Sequence, residues 1–191
     1  MKNAPALPFS ALCAALLCAS CGNDRGAPAA ESAEVVEAPA ATAETTPAAA
    51  DNASPPALAD AIADGIRSRD VEVTVADLAV NDRSAIMTEV ANSGIVAFGA
   101  PTMNNRMYPA MADVLCYVRG LRPQNKIGFA FGSFGWSGEG AKQIAAELEA
   151  MNMEQVVEPL QVKYMPTQEE LDKARAAGVA LADALLAKIN K

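Results

Sequence analysis

The sequence predicts an α/β layered fold with a mainly parallel sheet, and three observations carry that reading. From residue 57 to the C-terminus, short apolar runs alternate with longer segments of helical periodicity, the pattern of a layered α/β domain. Two of the runs, 95–98 and 127–131, are almost continuously apolar, as strands covered on both faces are. Each is followed by a turn rich in Gly, Asn and Ser: Gly99-Ala100-Pro101-Thr102-Met103-Asn104-Asn105, then Gly132-Ser133-Phe134-Gly135-Trp136-Ser137-Gly138. In an open parallel sheet such turns gather at the carboxyl ends of the strands, where ligands bind.

The elements follow in order. Residues 57–68 place Leu58, Ala61, Ile62 and Ile66 on one helical stripe. Pro55 and Pro56 suit the opening of that helix, and Gly65 weakens its end. Residues 71–78 alternate Val71, Val73 and Val75 against Glu72, Thr74 and Ala76, a strand with one polar face. Asn81 or Asp82 caps a short helix reaching about Val90. Residues 94–98 form the next strand, 107–118 an amphipathic helix ending at Gly120, and 126–131 a further buried strand. Residues 139–151 carry Ile144, Ala145, Leu148 and Met151 on one helical face, and 155–164 form the last strand. Thr167-Gln168-Glu169-Glu170 has the spacing of a capping box, opening a final helix to about Lys188. The order is α-β-α-β-α-β-α-β-α, and right-handed crossovers then put helices on both faces of the sheet.

Composition excludes several classes of function. The 191 residues suit one domain plus appendages, and the 51% apolar content allows a core, although Ala near the N-terminus inflates it. The net charge is −8 with no basic cluster, so nucleic acid is not expected as a partner, because Lys and Arg supply most such affinity. There is no histidine. That removes Ser-His-Asp and Cys-His catalysis, His-liganded zinc and facial-triad iron. Gly135-Trp136-Ser137-Gly138 is no nucleophile elbow, since Glu139 stands at the last Gly position of that motif. Gly138-Glu139-Gly140 lacks the third Gly of a dinucleotide fingerprint.

The N-terminus reads differently. Met1-Lys2-Asn3 precedes an uncharged apolar stretch, 4–20, too short and too interrupted by Pro for a comfortable span of ~20 residues. It ends Leu17-Cys18-Ala19-Ser20-Cys21-Gly22. Small residues before a Cys resemble the lipobox of bacterial lipoproteins, although Cys18 stands where Leu is usual. The resemblance implies a signal peptide over 1–21 and lipidation at Cys21. It places the protein at the cell envelope, on a periplasmic or extracytoplasmic face, with membrane contact only through the lipid anchor. A plain secretory signal and a mispredicted start are the alternatives. Residues 22–56 are rich in Ala, Pro and Glu and read as a disordered tether, leaving 57–191 as the folded domain. Cys116 would be the thiol that remains, read as a small buried hydrophobe.

The two Gly/Asn/Ser turns, together with Gly120-Leu121-Arg122-Pro123, Asn125-Lys126-Ile127-Gly128 and Val162-Lys163-Tyr164-Met165-Pro166-Thr167, resemble the C-terminal flavodoxin-like domain of A-type flavoproteins, the flavodiiron proteins. The resemblance covers roughly 58–186. It implies a five-stranded sheet in the order 2-1-3-4-5 with FMN at the switch point between strands 1 and 3, and electron transfer to a redox partner protein. It also implies that Pro101, Thr102, Met103, Asn104 and Asn105 line one side of the isoalloxazine ring, and that Ser133, Phe134, Gly135, Trp136, Ser137 and Gly138 approach from the other loop. The iron of that family sits in a separate His-rich domain, so no metal site and no catalytic side chain are expected here. The plainer alternative makes these loops simple turns, with Asn and Thr chosen for capping and Ser137 an N-cap.

Only four strands are evident. Upstream of the first helix a central strand and a phosphate-cradling turn are expected, but the sequence there is Thr45-Thr46-Pro47-Ala48-Ala49-Ala50-Asp51-Asn52-Ala53-Ser54-Pro55-Pro56. An Ala/Pro run has little to pack in a sheet centre, and Pro55 and Pro56 remove two N–H donors. Only Ser54 lines up as a phosphate ligand. The expectation is therefore a flavodoxin-like, three-layer α/β fold lacking its first, central strand. The gap leaves backbone groups unpaired. It is filled by another segment (Val35-Val36 being the candidate), by closure of the strands, or by a partner's strand. The function expected is an FMN-binding electron-transfer domain tethered to the envelope. The alternatives are a flavodoxin-fold lipoprotein that has lost FMN and serves as a non-redox binding module, or a truncated, decayed flavoprotein.

Overall fold

The computed structural model describes residues 13–18 and 54–190. In chain order the elements are β1 (Cys13–Cys18), α1 (Ser54–Arg67), β2 (Glu72–Asp77), α2 (Arg83–Asn92), β3 (Ile95–Gly99), β4 (Thr102–Met103), β5 (Arg106–Met107), α3 (Pro109–Leu121), β6 (Ile127–Phe134), α4 (Glu139–Ala150), β7 (Leu160–Lys163) and α5 (Gln168–Ile189). Five strands form a parallel sheet in the order β2-β1-β3-β6-β7, and β4 pairs with β5 antiparallel in a small separate ribbon.

The α/β class and flavodoxin-like order are as expected, but the missing central strand is a correction. Cys13–Cys18 fills the expected gap between β2 and β3, with Leu16 opposite Val75 on one side and Ala97 on the other. The physical reason is the one that made a gap costly: β2 and β3 each need a neighbour for their backbone N–H and C=O groups. Val35-Val36 and Cys21 lie outside the described residues, as does most of the stretch read as a tether. Its last residues do not, because α1 already starts at Ser54.

The two faces of the sheet are packed by different helices. On one face Ile95, Ala97, Ile127, Phe129, Phe131 and Val162 meet α1 and α5 through Leu58, Ile62, Ile66, Leu181 and Leu185. On the other, Val96, Phe98 and Ala130 meet Ile86, Val90, Met111, Leu115, Ile144 and Leu148 of α2, α3 and α4. The period-two split of β3 and β6 residues between these clusters is what a strand buried on both faces requires. Phe129 and Phe131 stack at 6.2 Å between ring centroids. The edge strand β2 departs from the simple alternation: Ala76 is buried against the α2 side, whereas Val75 is exposed. Gly65 also acts differently from expectation. It lies inside α1 at the crossing with α5, where Gly178 faces it.

Two caps are as the sequence signals. Asp82 accepts from the backbone N–H groups of Ser84 and Ala85 at the start of α2. Thr167 and Glu170 form a reciprocal capping box opening α5. The last strand is shorter than the expected 155–164, with Glu154 making only an isolated bridge to Ile127.

Candidate functional site

The first loop is more ordered than a plain turn. After β3, Pro101 leads into the β4–β5 ribbon, whose tip is Asn104-Asn105 with φ of 49° and 59°. A two-residue hairpin of this kind needs positive φ at both central residues, which Asn tolerates better than other side-chain-bearing residues. These residues are not used for capping. The N-cap of α3 is Tyr108, which makes no side-chain capping bond, and Pro109 follows it.

The second loop leaves β6 through Ser133 and Phe134 and reaches α4 at Gly138, which is the N-cap. Ser137 is therefore not the cap. Its hydroxyl donates to Asn105 Oδ1 at 2.8 Å, joining the two loops. Two further bonds join the same elements. Gly140 N–H, an early donor of α4, donates to Thr102 Oγ1 at 3.1 Å, and Met107 N–H donates to Gln143 Oε1 at 2.9 Å. Thr102 thus supplies from the hairpin the capping oxygen that α4 lacks locally. Only Gly fits at 140 without displacement, because a Cβ there would lie 2.8 Å from Thr102 Oγ1.

The loops enclose a cavity of ≈ 300 Å³ lined by Thr102, Asn104, Asn105, Gly135, Trp136 and Ser137. Of the residues singled out in the sequence, Pro101, Met103, Ser133, Phe134 and Gly138 flank this cavity rather than line it. Trp136 is 95% exposed, so its indole is free to cover a ligand. Three residues without an assigned role lie beside these loops. Tyr164, at φ 60°, donates its N–H to Phe134 O at 2.9 Å and brings its ring beside Gly135. Lys163 lies 5.5 Å from that ring's centroid. Gln143 orients the hairpin. Tyr164 was signalled by its place in the Val162–Thr167 stretch, whereas Gln143 had no local signal.

All six lining residues are uncharged. Amide, hydroxyl and backbone groups of this kind recognise the N/O edge of a flat heterocycle, and the exposed indole offers a stacking face. The volume lies at the small end of ligand sites, ~300–1,000 Å³, and suits a ring rather than a whole nucleotide. A larger cavity of ≈ 620 Å³ lies at the C-terminal ends of α3 and α4, lined by Cys116, Arg119 and Asn152 among others. It is remote from both loops and contains none of the predicted site residues. Cys116 itself is exposed, which corrects the buried reading: α3 turns Met111, Val114, Leu115 and Val118 inward and leaves position 116 outside. Among the described residues, no group of three or more His, Cys, Asp or Glu could hold a metal ion.

The profile of the flavodoxin family matches residues 56–178. The chain belongs to the flavodoxin family. It is 39% identical over 132 residues to the rubredoxin-oxygen oxidoreductase of Megalodesulfovibrio gigas, covering 69% of this chain and 33% of that protein. It is 35% identical over 126 residues to the nitric oxide reductase of Moorella thermoacetica, covering 65% and 32%. The chain therefore spans about a third of the length of these relatives. Among solved structures, rubredoxin oxygen:oxidoreductase from Desulfovibrio gigas superposes with a TM-score of 0.75 at 29% identity, over 94% of this chain and 37% of that one. The flavodiiron protein of Giardia intestinalis gives 0.72 at 29% identity, over 93% and 37%. An archaeal flavodoxin gives 0.64 over 91% of this chain and 99% of its own, at 24% identity, which speaks for the fold alone. The resemblance to the flavodoxin-like domain of flavodiiron proteins is thereby borne out.

Proposed function

We propose that this domain holds an FMN-type flavin between the β4–β5 hairpin and the loop entering α4, and passes electrons from it to a protein partner. The observation that carries this is the joining of the two loops by Thr102, Asn105 and Ser137 around an uncharged cavity beside the exposed Trp136. Membership of a family that typically binds FMN supports it. When bound, a flavin supplies one- and two-electron chemistry, which needs no acid or base from the protein. The chain's own work is positional. Asn104 and Asn105 present amides at the ring edge, Trp136 covers the ring and excludes water, and Gln143 with Gly140 keeps the hairpin seated on α4. The partner is a redox protein that reaches the rim formed by Trp136 and Tyr164.

Anchoring at Cys21 on the envelope is a separate proposal, supported by Ala19-Ser20-Cys21. Cleavage before Cys21 would remove Cys13–Cys18, whose backbone pairs with both β2 and β3. The anchored form and the five-stranded form are thus alternative fates of one chain, and the intact mass of the protein from a bacterial host tells them apart.

The flavin reading is tested by incubating the full chain with excess FMN, removing free ligand by gel filtration, and recording visible flavin absorbance together with far-UV circular dichroism. Co-eluting flavin near one equivalent supports the proposal. A folded protein that elutes without flavin overturns it and leaves the fold serving a non-redox binding role.

A further inference from the structure

We propose that the site recognises the isoalloxazine ring and not the phosphate, so that riboflavin is bound as tightly as FMN. This deepens the flavin reading and rests on it. Two observations among the described residues point the same way. An anion at the start of a helix is held by the free backbone N–H groups of the first turn, but α1 opens Ser54-Pro55-Pro56, and two of those positions carry no N–H. The cavity itself is lined by six uncharged residues, so none of its lining side chains offers a cation to a dianionic phosphate.

What remains favours a neutral ligand. The hairpin amides, the Ser137 hydroxyl and the Trp136 indole all address a ring, and they are held in place by bonds between the loops. The chain's net charge of −8 gives a phosphate no general attraction either.

The test is calorimetric titration of the full chain with FMN and, separately, with riboflavin, in one low-salt buffer. The expected result is two dissociation constants within about fivefold of each other. A single charge-assisted hydrogen bond to phosphate would favour FMN by roughly tenfold or more. FMN binding tighter than riboflavin by more than about fivefold overturns the inference while leaving the flavin reading intact, and would mean that a phosphate site lies in the segment between β1 and α1. Binding of neither flavin overturns both.

Discussion

The crossing of α1 and α5 makes a sharp prediction from one substitution at two glycines. Gly65 and Gly178 face each other where these helices meet. A Cβ on Gly178 would lie 3.1 Å from both Gly65 Cα and Ile62 C, and closer still to Ile62 O. All of these are backbone atoms, so no rotamer change relieves the clash, and the helices must separate along a contact that includes Leu58, Ile62, Leu181 and Leu185. Overpacking costs about 1–3 kcal/mol, and a clash with backbone atoms alone belongs in the upper part of that range, about 2–3 kcal/mol, against which the better helix propensity of Ala returns about 1 kcal/mol. Gly178→Ala is therefore expected to destabilise by about 1–2 kcal/mol. With a urea slope of about 2 kcal/mol/M, the unfolding midpoint falls by about 0.5–1 M. Gly120→Ala is the control. It lies in the last turn of α3, and a Cβ there meets nothing within 4 Å. Only the propensity gain of up to about 1 kcal/mol is left, so its midpoint stays or rises. The assay is equilibrium urea unfolding followed by far-UV circular dichroism. If Gly178→Ala leaves the midpoint unchanged or raises it, close backbone approach is not what holds α1 against α5.

Other predictions follow from single features. Leu16→Pro removes a backbone donor from the strand that pairs with both β2 and β3, so loss of cooperative unfolding is expected, where a peripheral strand would show only a lower midpoint. Thr167→Ala removes the side-chain half of the α5 capping box and is expected to cost about 1 kcal/mol in the same urea assay. Backbone N–H donation by Ala85 and Ser84 holds the Asp82 carboxyl below its ordinary value of 3.8, and donation by the Thr167 backbone and hydroxyl holds Glu170 below 4.5. Because both are depressed in the folded state, their stabilisation is complete above those values and is lost as pH falls through the lower folded ones. The double variant Asp82→Asn, Glu170→Gln should flatten the acid limb of stability against pH below about 4.5 and leave the neutral region's slope unaltered. Gln143→Ala should weaken flavin binding by releasing Met107 N–H and the hairpin, with an unfolding midpoint close to that of the parent.

Much of this architecture was legible because it rests on local patterns. β3 and β6 read as buried strands from unbroken apolar runs, and Asp82 and Thr167 announced their helices by cap chemistry. What the sequence hid is the first strand of the sheet. Ala14-Ala15-Leu16-Leu17 is apolar and uncharged, a pattern that a secretory leader and a strand of a parallel sheet share. Its pairing with both β2 and β3 answers a need of those two strands for a common neighbour, and that need is not local. Gly65 looked like a helix-weakening residue because its partner Gly178 is more than a hundred residues away. In the site, Asn104-Asn105 has the chemistry of a two-residue hairpin turn, a geometry that neither the ring-lining reading nor the capping alternative specified. The bonds from Gly140, Gln143 and Ser137 depend on how α4 docks, so no spacing rule pointed to them.

The central claim is that a flavin sits between the β4–β5 hairpin and the loop entering α4. The most direct measurement is backbone amide shift mapping of the isotopically labelled protein on addition of riboflavin or FMN. The largest shifts are expected at residues 102–107, 133–140 and 164, with the Trp136 indole signal among them, and little change around 116–124 and 150–152. Shifts centred on that second region, at the far ends of α3 and α4, would contradict it.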